Sequence, residues 1–269
     1  MTDPAPTSQD DSTVRECLAR GRLEIDGRVL SASNATFVGE VALGGAAVRC
    51  VYKPVRGERP LWDFAVGTLA AREVAAYEIS HQAGWGVVPT TVLGDGPFGE
   101  GMVQEWVETG PDELVDLVPE GQVPDGWRHV LDAWDGNERP VSLVHLDDPG
   151  LRRMALFDAA INNADRKAGH ILATADDLLG CDHGLSFHTD DKLRTVLWGW
   201  AGDPLSDDDL DPVERMLSLL EGSALADLLG GLLSGAELSR LRHRLHRLRR
   251  CRAFPLPPTG WRAVPWPIF

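Results

Sequence analysis

The densest run of chemically active side chains in this sequence is Asn162-Asn163-Ala164-Asp165-Arg166-Lys167-Ala168-Gly169-His170. It lies between two apolar stretches, so it is expected to be a loop. Asp182 follows twelve residues after His170, within Cys181-Asp182-His183-Gly184-Leu185-Ser186-Phe187. There a carboxylate leaves a short apolar strand and meets a glycine two positions on. Upstream, Lys53 ends an apolar strand and Glu73 lies on the helical segment that follows. These residue types in this order suit phosphoryl transfer. That reaction needs cations around a nucleoside triphosphate, a group that orients or deprotonates the acceptor hydroxyl, and carboxylates that hold a metal. A strand lysine can contact phosphates as a point charge, and a helix glutamate can fix it by an ion pair. A loop aspartate such as Asp165 can take the acceptor role. Asp182, at a strand end, can bind magnesium, which prefers one or two carboxylates plus phosphate oxygens. A charge just after Leu178-Leu179 is costly without a partner, which favours a working role for it.

The elements that must position these residues fall into two blocks. In the first half, Leu23-Glu24-Ile25 and Arg28-Val29-Leu30 flank Asp26-Gly27, a strong hairpin dipeptide. Strands are expected over 37–43 and 46–53, the second showing alternation of Val48, Cys50 and Tyr52 with Ala47, Arg49 and Val51 and ending at Pro54. A helix is expected over about 68–82, stopped by Gly84 and Gly86, and two more strands over 87–93 and 101–107. In the second half, 108–150 is rich in Pro, Gly and acid. It reads as a loop-dominated connection with a short helical piece near 127–134. A helix over 151–161, two short strands at 171–173 and 178–181, and Leu/Ala-rich helices from about 212 to 250 complete the body. The tail, 255–269, carries prolines and two tryptophans and reads as an extended strap. A strand-rich block followed by a helix-rich block predicts an α+β fold of two lobes with a ligand cleft between them.

With those motifs in hand, the sequence resembles the phosphatidylinositol 3-/4-kinase-like branch of the kinase superfamily. The nearest likeness is to a group of small actinobacterial proteins of that type, with HipA-type protein kinases more distant. Asp165-Arg166-x-x-Gly169 is similar to the catalytic loop of that branch, and Asp182-x-Gly184-Leu185-Ser186-Phe187 to the metal motif of type II phosphatidylinositol kinases. Val51-Tyr52-Lys53-Pro54 resembles the ATP-lysine strand, and Arg72-Glu73-Val74-Ala75-Ala76-Tyr77 the helix that supplies the lysine's partner, with Glu78 a rival to Glu73. The resemblance implies a bilobal protein-kinase-like fold. A β-rich N-lobe with one main helix would span 20–107, after a disordered 1–19. The connection would be 108–150, a helical C-lobe 151–254, and the strap 255–269. It further implies ATP with Mg2+ or Mn2+, a catalytic group of Asp165, Lys53, Glu73, Arg166 and Lys167, and metal ligation by Asp182 and His170. Gln104-Glu105-Trp106 would be the hinge that meets adenine, and Ser33, Asn34 and Thr36 would stand in for the phosphate-covering loop. Members of the branch carry Asn where this chain has His170. Imidazole favours softer ions than magnesium, which points toward manganese.

Composition limits the partners. The 269 residues carry 26 Lys+Arg against 41 Asp+Glu, a formal net charge of −15, so a phosphate backbone would be repelled and nucleic acid is excluded as a partner. The four cysteines are far apart and form no CxxC pair, which argues against a zinc site or disulfide framework and for buried thiols in a reducing cytoplasm. Seven arginines crowd residues 240–252 with Leu241, Leu245 and Leu248 on one face. Such a helix can dock on anionic lipid, or be an exposed face neutralised by this acidic protein itself. The phosphoryl acceptor is open among a lipid, a protein and a small-molecule hydroxyl, since 187–197 offers Lys192 and Arg194 beside Asp190 and Asp191. Two other readings share the fold: a nucleotide-binding pseudokinase acting as a regulatory module, and an enzyme that transfers AMP.

Overall fold

The structure is a computed structural model that describes residues 11–30, 32–111, 113–259 and 262–269. It is α+β, with a strand-rich first unit and a second unit that holds most of the helices.

The first unit comprises the described residues up to Ala70 together with Pro89–Trp106. Helix α1 is Asp11–Arg20, and the strands are β1 (Arg22–Arg28), β2 (Phe37–Leu43), β3 (Ala46–Pro54), β4 (Thr91–Gly96) and β5 (Gly99–Glu105). The strands form an antiparallel sheet in the order β1-β2-β3-β5-β4. Val14, Cys17 and Leu18 of α1 recur at helical spacing and pack on Val41, Val48, Cys50, Tyr52, Val92 and Val103 of the sheet. Two expectations are corrected here. Residues 11–19, expected to be disordered, lie in α1 because that apolar stripe has a sheet face to cover; the rest of the expected disorder, 1–10, lies outside the described residues. Asp26-Gly27 does not turn a hairpin. β1 runs straight through it, and a bulge between Ile25 and Gly27 absorbs the irregularity against β2. The strands expected at 87–93 and 101–107 are β4 and β5, joined by a turn at residues 96–99.

The second unit comprises Ala71–Val88 and Val107–Phe269. Helix α2, Leu69–Gln82, begins with the last two residues of the first unit and otherwise belongs to the second, whereas the sequence reading placed it wholly in the first lobe. Next come β6 (Val115–Pro119), β7 (Trp127–Trp134) and β8 (Pro140–Leu146), an antiparallel sheet in the order β6-β8-β7. This corrects the loop-dominated reading of 108–150 and its helical piece at 127–134. β8 is the central strand, with Leu143 and Val144 fully buried on opposite faces, and pairing along it draws both neighbours into extended backbone despite the surrounding Pro and Gly. Helix α3 (Pro149–Ile161), the hairpin of β9 (Ile171–Ala173) and β10 (Leu178–Gly180), and helices α4 (Asp207–Leu219), α5 (Ala224–Leu232) and α6 (Gly235–Cys251) follow. Trp85, Leu151, Met154, Phe157, Val213, Met216, Leu241 and Leu245 belong to one buried core. The tail is tied back by main-chain bonds from Thr195 N–H to Ala263 O (3.1 Å) and from Ala168 N–H to Ile268 O (2.9 Å). Cys17 and Cys50 are buried as expected. Cys251, at the end of α6, is exposed, contrary to the reading of all four cysteines as buried. Among the described residues no helix is long and apolar enough to cross a membrane.

Candidate active site

The chemistry-bearing loop grows out of the end of α3. Asp148 caps the start of that helix, accepting from Gly150 N–H (2.7 Å) and Leu151 N–H (3.1 Å). Asn162 ends it in the left-handed conformation (φ 60°), a common helix stop, and turns the chain into the loop. The next side chains are pinned from inside. Asn163 donates through Nδ2 to Asp158 Oδ1 (2.9 Å), while its own Oδ1 accepts from Asp165 N–H (3.0 Å). Asp158, in the apolar run Ala155-Leu156-Phe157-Asp158-Ala159, is fully buried. Its charge is matched by Arg166, whose Nε and Nη2 donate to its two oxygens at 2.9 Å each.

Arg166 is the strut of the site. It is fully buried and directs the rest of its donors inward: Nη1 to His170 O (3.0 Å) and Cys181 O (2.9 Å), and Nη2 to His183 Nε2 (2.7 Å). One guanidinium thereby ties the loop carrying Asp165 and His170 to the strand end carrying Asp182. The approach is close: a Cβ on Gly180 would sit 2.9 Å from Nη1 and Nη2, so that position needs glycine. The resemblance implies a catalytic place for Arg166; with no exposure and its donors all on protein partners, its side chain holds the loop and the strand end together. Glu73 joins the same frame, since its Oε2 accepts from His183 N–H at 2.7 Å.

On that frame Asp165, His170 and Asp182 come together, each able to offer one ligand atom, with these atoms all within 4.8 Å of one another. His170 Nδ1 lies 2.9 Å from Asp165 O, a carbonyl that can only accept, so Nδ1 carries the proton. This leaves the Nε2 lone pair facing Asp182 Oδ2 at 3.3 Å. Two acceptors so placed repel each other unless a cation or a proton lies between them. A backbone carbonyl on the far nitrogen is also the usual way a ligating imidazole is oriented. The donor set of two carboxylates and one imidazole therefore fits a divalent cation. Asp182 itself takes a positive φ (61°), uncommon for a residue other than glycine and tolerated best by Asp and Asn. Lys167 Nζ stands 3.1 Å from Asp165 Oδ2. Burial pushes the Asp165 carboxyl above the usual carboxylate range, with Lys167 opposing, and burial also holds the His170 imidazole below its usual range against the pull of Asp182.

In the first unit Lys53 lies near the end of β3, paired with Met102 of β5. β5 ends on Gln104 and Glu105 and passes into Trp106. The Gln104 side chain donates to Thr91 Oγ1 (2.8 Å), Glu105 N–H to Thr90 O (2.8 Å), and Trp106 N–H to Arg49 O (2.9 Å). Ser33, Asn34 and Thr36 lie in the β1–β2 connection, where Asn34 Oδ1 accepts from Arg59 N–H (2.9 Å) and Thr36 Oγ1 donates to Asn34 O (3.4 Å). Thr36 Oγ1 thus bonds within its own turn, while Asn34 Oδ1 ties the connection to the segment at Arg59. Three supporting residues escaped the sequence reading of roles: Asp158, Asn163 and His183. The one available signal was an aspartate set in the middle of an apolar helix, where burial demands a partner.

The chain is 49% identical over 277 residues to Protein Rv2133c of Mycobacterium tuberculosis (strain ATCC 25618 / H37Rv), covering 98% of each. No family model matches it. Among solved structures it is similar to the Helicobacter pylori proinflammatory kinase CtkA (TM-score 0.41, 12% identity, 88% of this chain and 94% of that one) and to the Golgi casein kinase (TM-score 0.48, 12% identity, 93% and 80%).

Proposed function

This chain belongs to the family of Protein Rv2133c, and we propose that it is an ATP- and divalent-metal-dependent phosphotransferase of the phosphatidylinositol 3-/4-kinase-like type. The observation that carries this reading is the convergence of Asp165, His170 and Asp182, drawn from two separate motifs, around a point suited to a cation. Asp182 and His170 would hold the metal, which when bound neutralises phosphate charge. The chain's own residues would do the rest. Asp165 orients the acceptor hydroxyl and takes its proton. Lys167, beside it, presents a cation to the transferred phosphoryl group. Lys53 contacts the nucleotide phosphates, and Gln104, Glu105 and Trp106 meet the base. Glu73 braces the Asp182 turn through His183 N–H. The acceptor is a hydroxyl of a lipid, a protein or a small molecule, and the cytoplasm is the compartment the reading calls for.

One observation favours a second reading, a nucleotide-binding regulatory module: the Thr36 hydroxyl proton, which a phosphate would need, is donated to Asn34 O. Incubation of the purified protein with ATP labelled at the γ- or the α-phosphate, in Mn2+ or Mg2+, separates the readings. Transfer of γ-label that is lost in Asp182→Ala, with the fold retained, supports a kinase. Transfer of α-label indicates AMP transfer. Metal-dependent ATP binding with no transfer to protein, lipid or small-molecule hydroxyls indicates the module.

A further inference from the structure

Six of the seven arginines at 240–252, on α6 and at its C-terminal cap, fall into two groups. Arg242, Arg249 and Arg252 each reach an acceptor of their own: Leu220 O (2.9 Å), Glu214 (3.4 Å) and Asp207 (2.5 Å) respectively. Arg240, Arg244 and Arg247 instead share one face at i, i+4 and i+7, and that face meets the segment 188–191. The segment is firmly built. Asn162 Nδ2 donates to His188 O (3.1 Å) and Asp190 O (2.7 Å), its Oδ1 accepts from Lys192 N–H (2.8 Å), and Arg240 Nε donates to Thr189 O (2.7 Å). Of the segment's two carboxylates, Asp190 lies beside His188 (3.8 Å) and Asp191 is the one that meets the guanidiniums. Asp191 bridges two of them, Oδ1 at 3.5 Å from Arg240 Nη2 and Oδ2 at 3.0 Å from Arg247 Nη1.

Arg244 lies between those two and is under-matched. It is 1% exposed, its Nε and Nη1 reach main-chain carbonyls of Ala160 and His188 at 3.2 Å, and its Nη2 has no hydrogen-bond partner among the described residues. Burying a charge without a counter-ion is costly. Three guanidiniums that meet one carboxylate between them, in a chain of net charge −15, are therefore under-matched at a physical cost. Burial above all, together with Arg240 and Arg247, lowers the Arg244 pKa to about 10, while Asp191 opposes. The bridging carboxylate also shows the shape of what is missing: two oxygens of one planar anion span two guanidiniums, and adjacent oxygens of a tetrahedral phosphate present the same edge with further oxygens and more charge.

We propose that Arg240, Arg244 and Arg247 form a binding site for a phosphate group, with Asp191 as a built-in carboxylate that the phosphate displaces. The site lies on α6 and the segment 188–191, shares no residue with the candidate metal ligands and does not depend on the phosphotransferase reading. Displacement gives the proposal an unusual sign. Removing the negative charge of Asp191 strengthens binding, whereas removing an arginine weakens it.

The test is isothermal titration of the full-length protein with inorganic phosphate in metal-free buffer. It is run on the unmodified chain, Arg247→Gln, Asp191→Asn and Asp182→Asn. Expected are saturable binding, about tenfold weaker in Arg247→Gln and about tenfold tighter in Asp191→Asn, as the loss or release of one charge-assisted contact implies. Binding by Asp182→Asn is expected to be unchanged, which separates this site from any phosphate held at the metal ligands. Arg247 and Asp191 are partly exposed, so both variants are expected to fold, which circular dichroism checks. Further arms distinguish the source of the phosphate. Binding of glycerol 3-phosphate indicates a soluble ester, and Arg247-dependent sedimentation with phosphatidic acid/phosphatidylcholine vesicles a lipid head group; either supports the site. Absence of saturable binding, indifference to Arg247→Gln, or weaker binding in Asp191→Asn overturns it.

Discussion

Replacing Asp158 by Asn tests the claim that a buried ion pair, remote from any solvent, sets the geometry of the candidate metal ligands. The substitution keeps the shape of the side chain and removes its charge. Arg166 is then left fully buried with two of its bonds facing a neutral amide, one end of which is a donor. Removing one partner of a buried pair costs about 3–5 kcal/mol. Against a typical total stability of roughly 5–15 kcal/mol, such a loss leaves a folded but weakened protein over all but the low end of that range. It appears in urea melts as a lower midpoint at an unchanged slope. The second consequence is specific to the site. Nη1 of the same guanidinium holds His170 O and Cys181 O at 3.0 and 2.9 Å, so a shifted Arg166 lets His170 and Asp182 move apart. Loss of such supporting contacts typically lowers metal affinity by roughly 10–100-fold. Mn2+ titration followed by electron paramagnetic resonance, at a temperature where the variant is folded, reads this directly. The double variant Asp158→Leu/Arg166→Met is expected to recover much of the stability without recovering the affinity, because apolar packing replaces the pair but not its bonds to the two loops. A stability loss under about 1 kcal/mol, or Mn2+ affinity unchanged in a destabilised Asp158→Asn, refutes the strut.

Two further outcomes are expected. His145 is fully buried, with Nδ1 donating to Leu146 O (2.9 Å) and Nε2 accepting from Gly199 N–H (3.1 Å), so protonation would set two donors against each other; burial lowers its pKa to about 4. The unfolded chain takes up that proton near pH 6.5 and the folded chain does not, so stability is full above that value. It falls by about 3 kcal/mol between pH 6.5 and 4. Urea melts across this range check it, and His145→Gln, although less stable at pH 7, is expected to lose that part of the acid sensitivity. Replacing His170 by Asn is expected to weaken Mn2+ binding by about tenfold while changing Mg2+ binding little, since the softer ion gains more from an imidazole; competition titrations of the two ions read the ratio, and an unchanged ratio rules out His170 as a ligand.

Much of this protein was legible from the chain alone because its signals are local. Alternation along 46–53 marked β3, helical periodicity marked α2, and the clustering of Asp165, Lys167, His170 and Asp182 singled out the segments that carry the candidate site. Local signals also misled where a distant partner decides the outcome. Residues 127–134 become a strand because β8 pairs with them, and 11–19 become a helix because a sheet face accepts Val14, Cys17 and Leu18. The hairpin dipeptide Asp26-Gly27 is overruled by continuous pairing with β2. In the same way the types of Asp165, His170 and Asp182 are written in the sequence, whereas the inward direction of Arg166 and its match to Asp158 and His183 are not. Nor does the sequence show which two of the seven arginines share one carboxylate, with Arg244 buried between them. Residue type and periodicity depend on near neighbours along the chain. Burial, and with it the pairing of charges removed from water, depends on segments that meet only when the chain has folded.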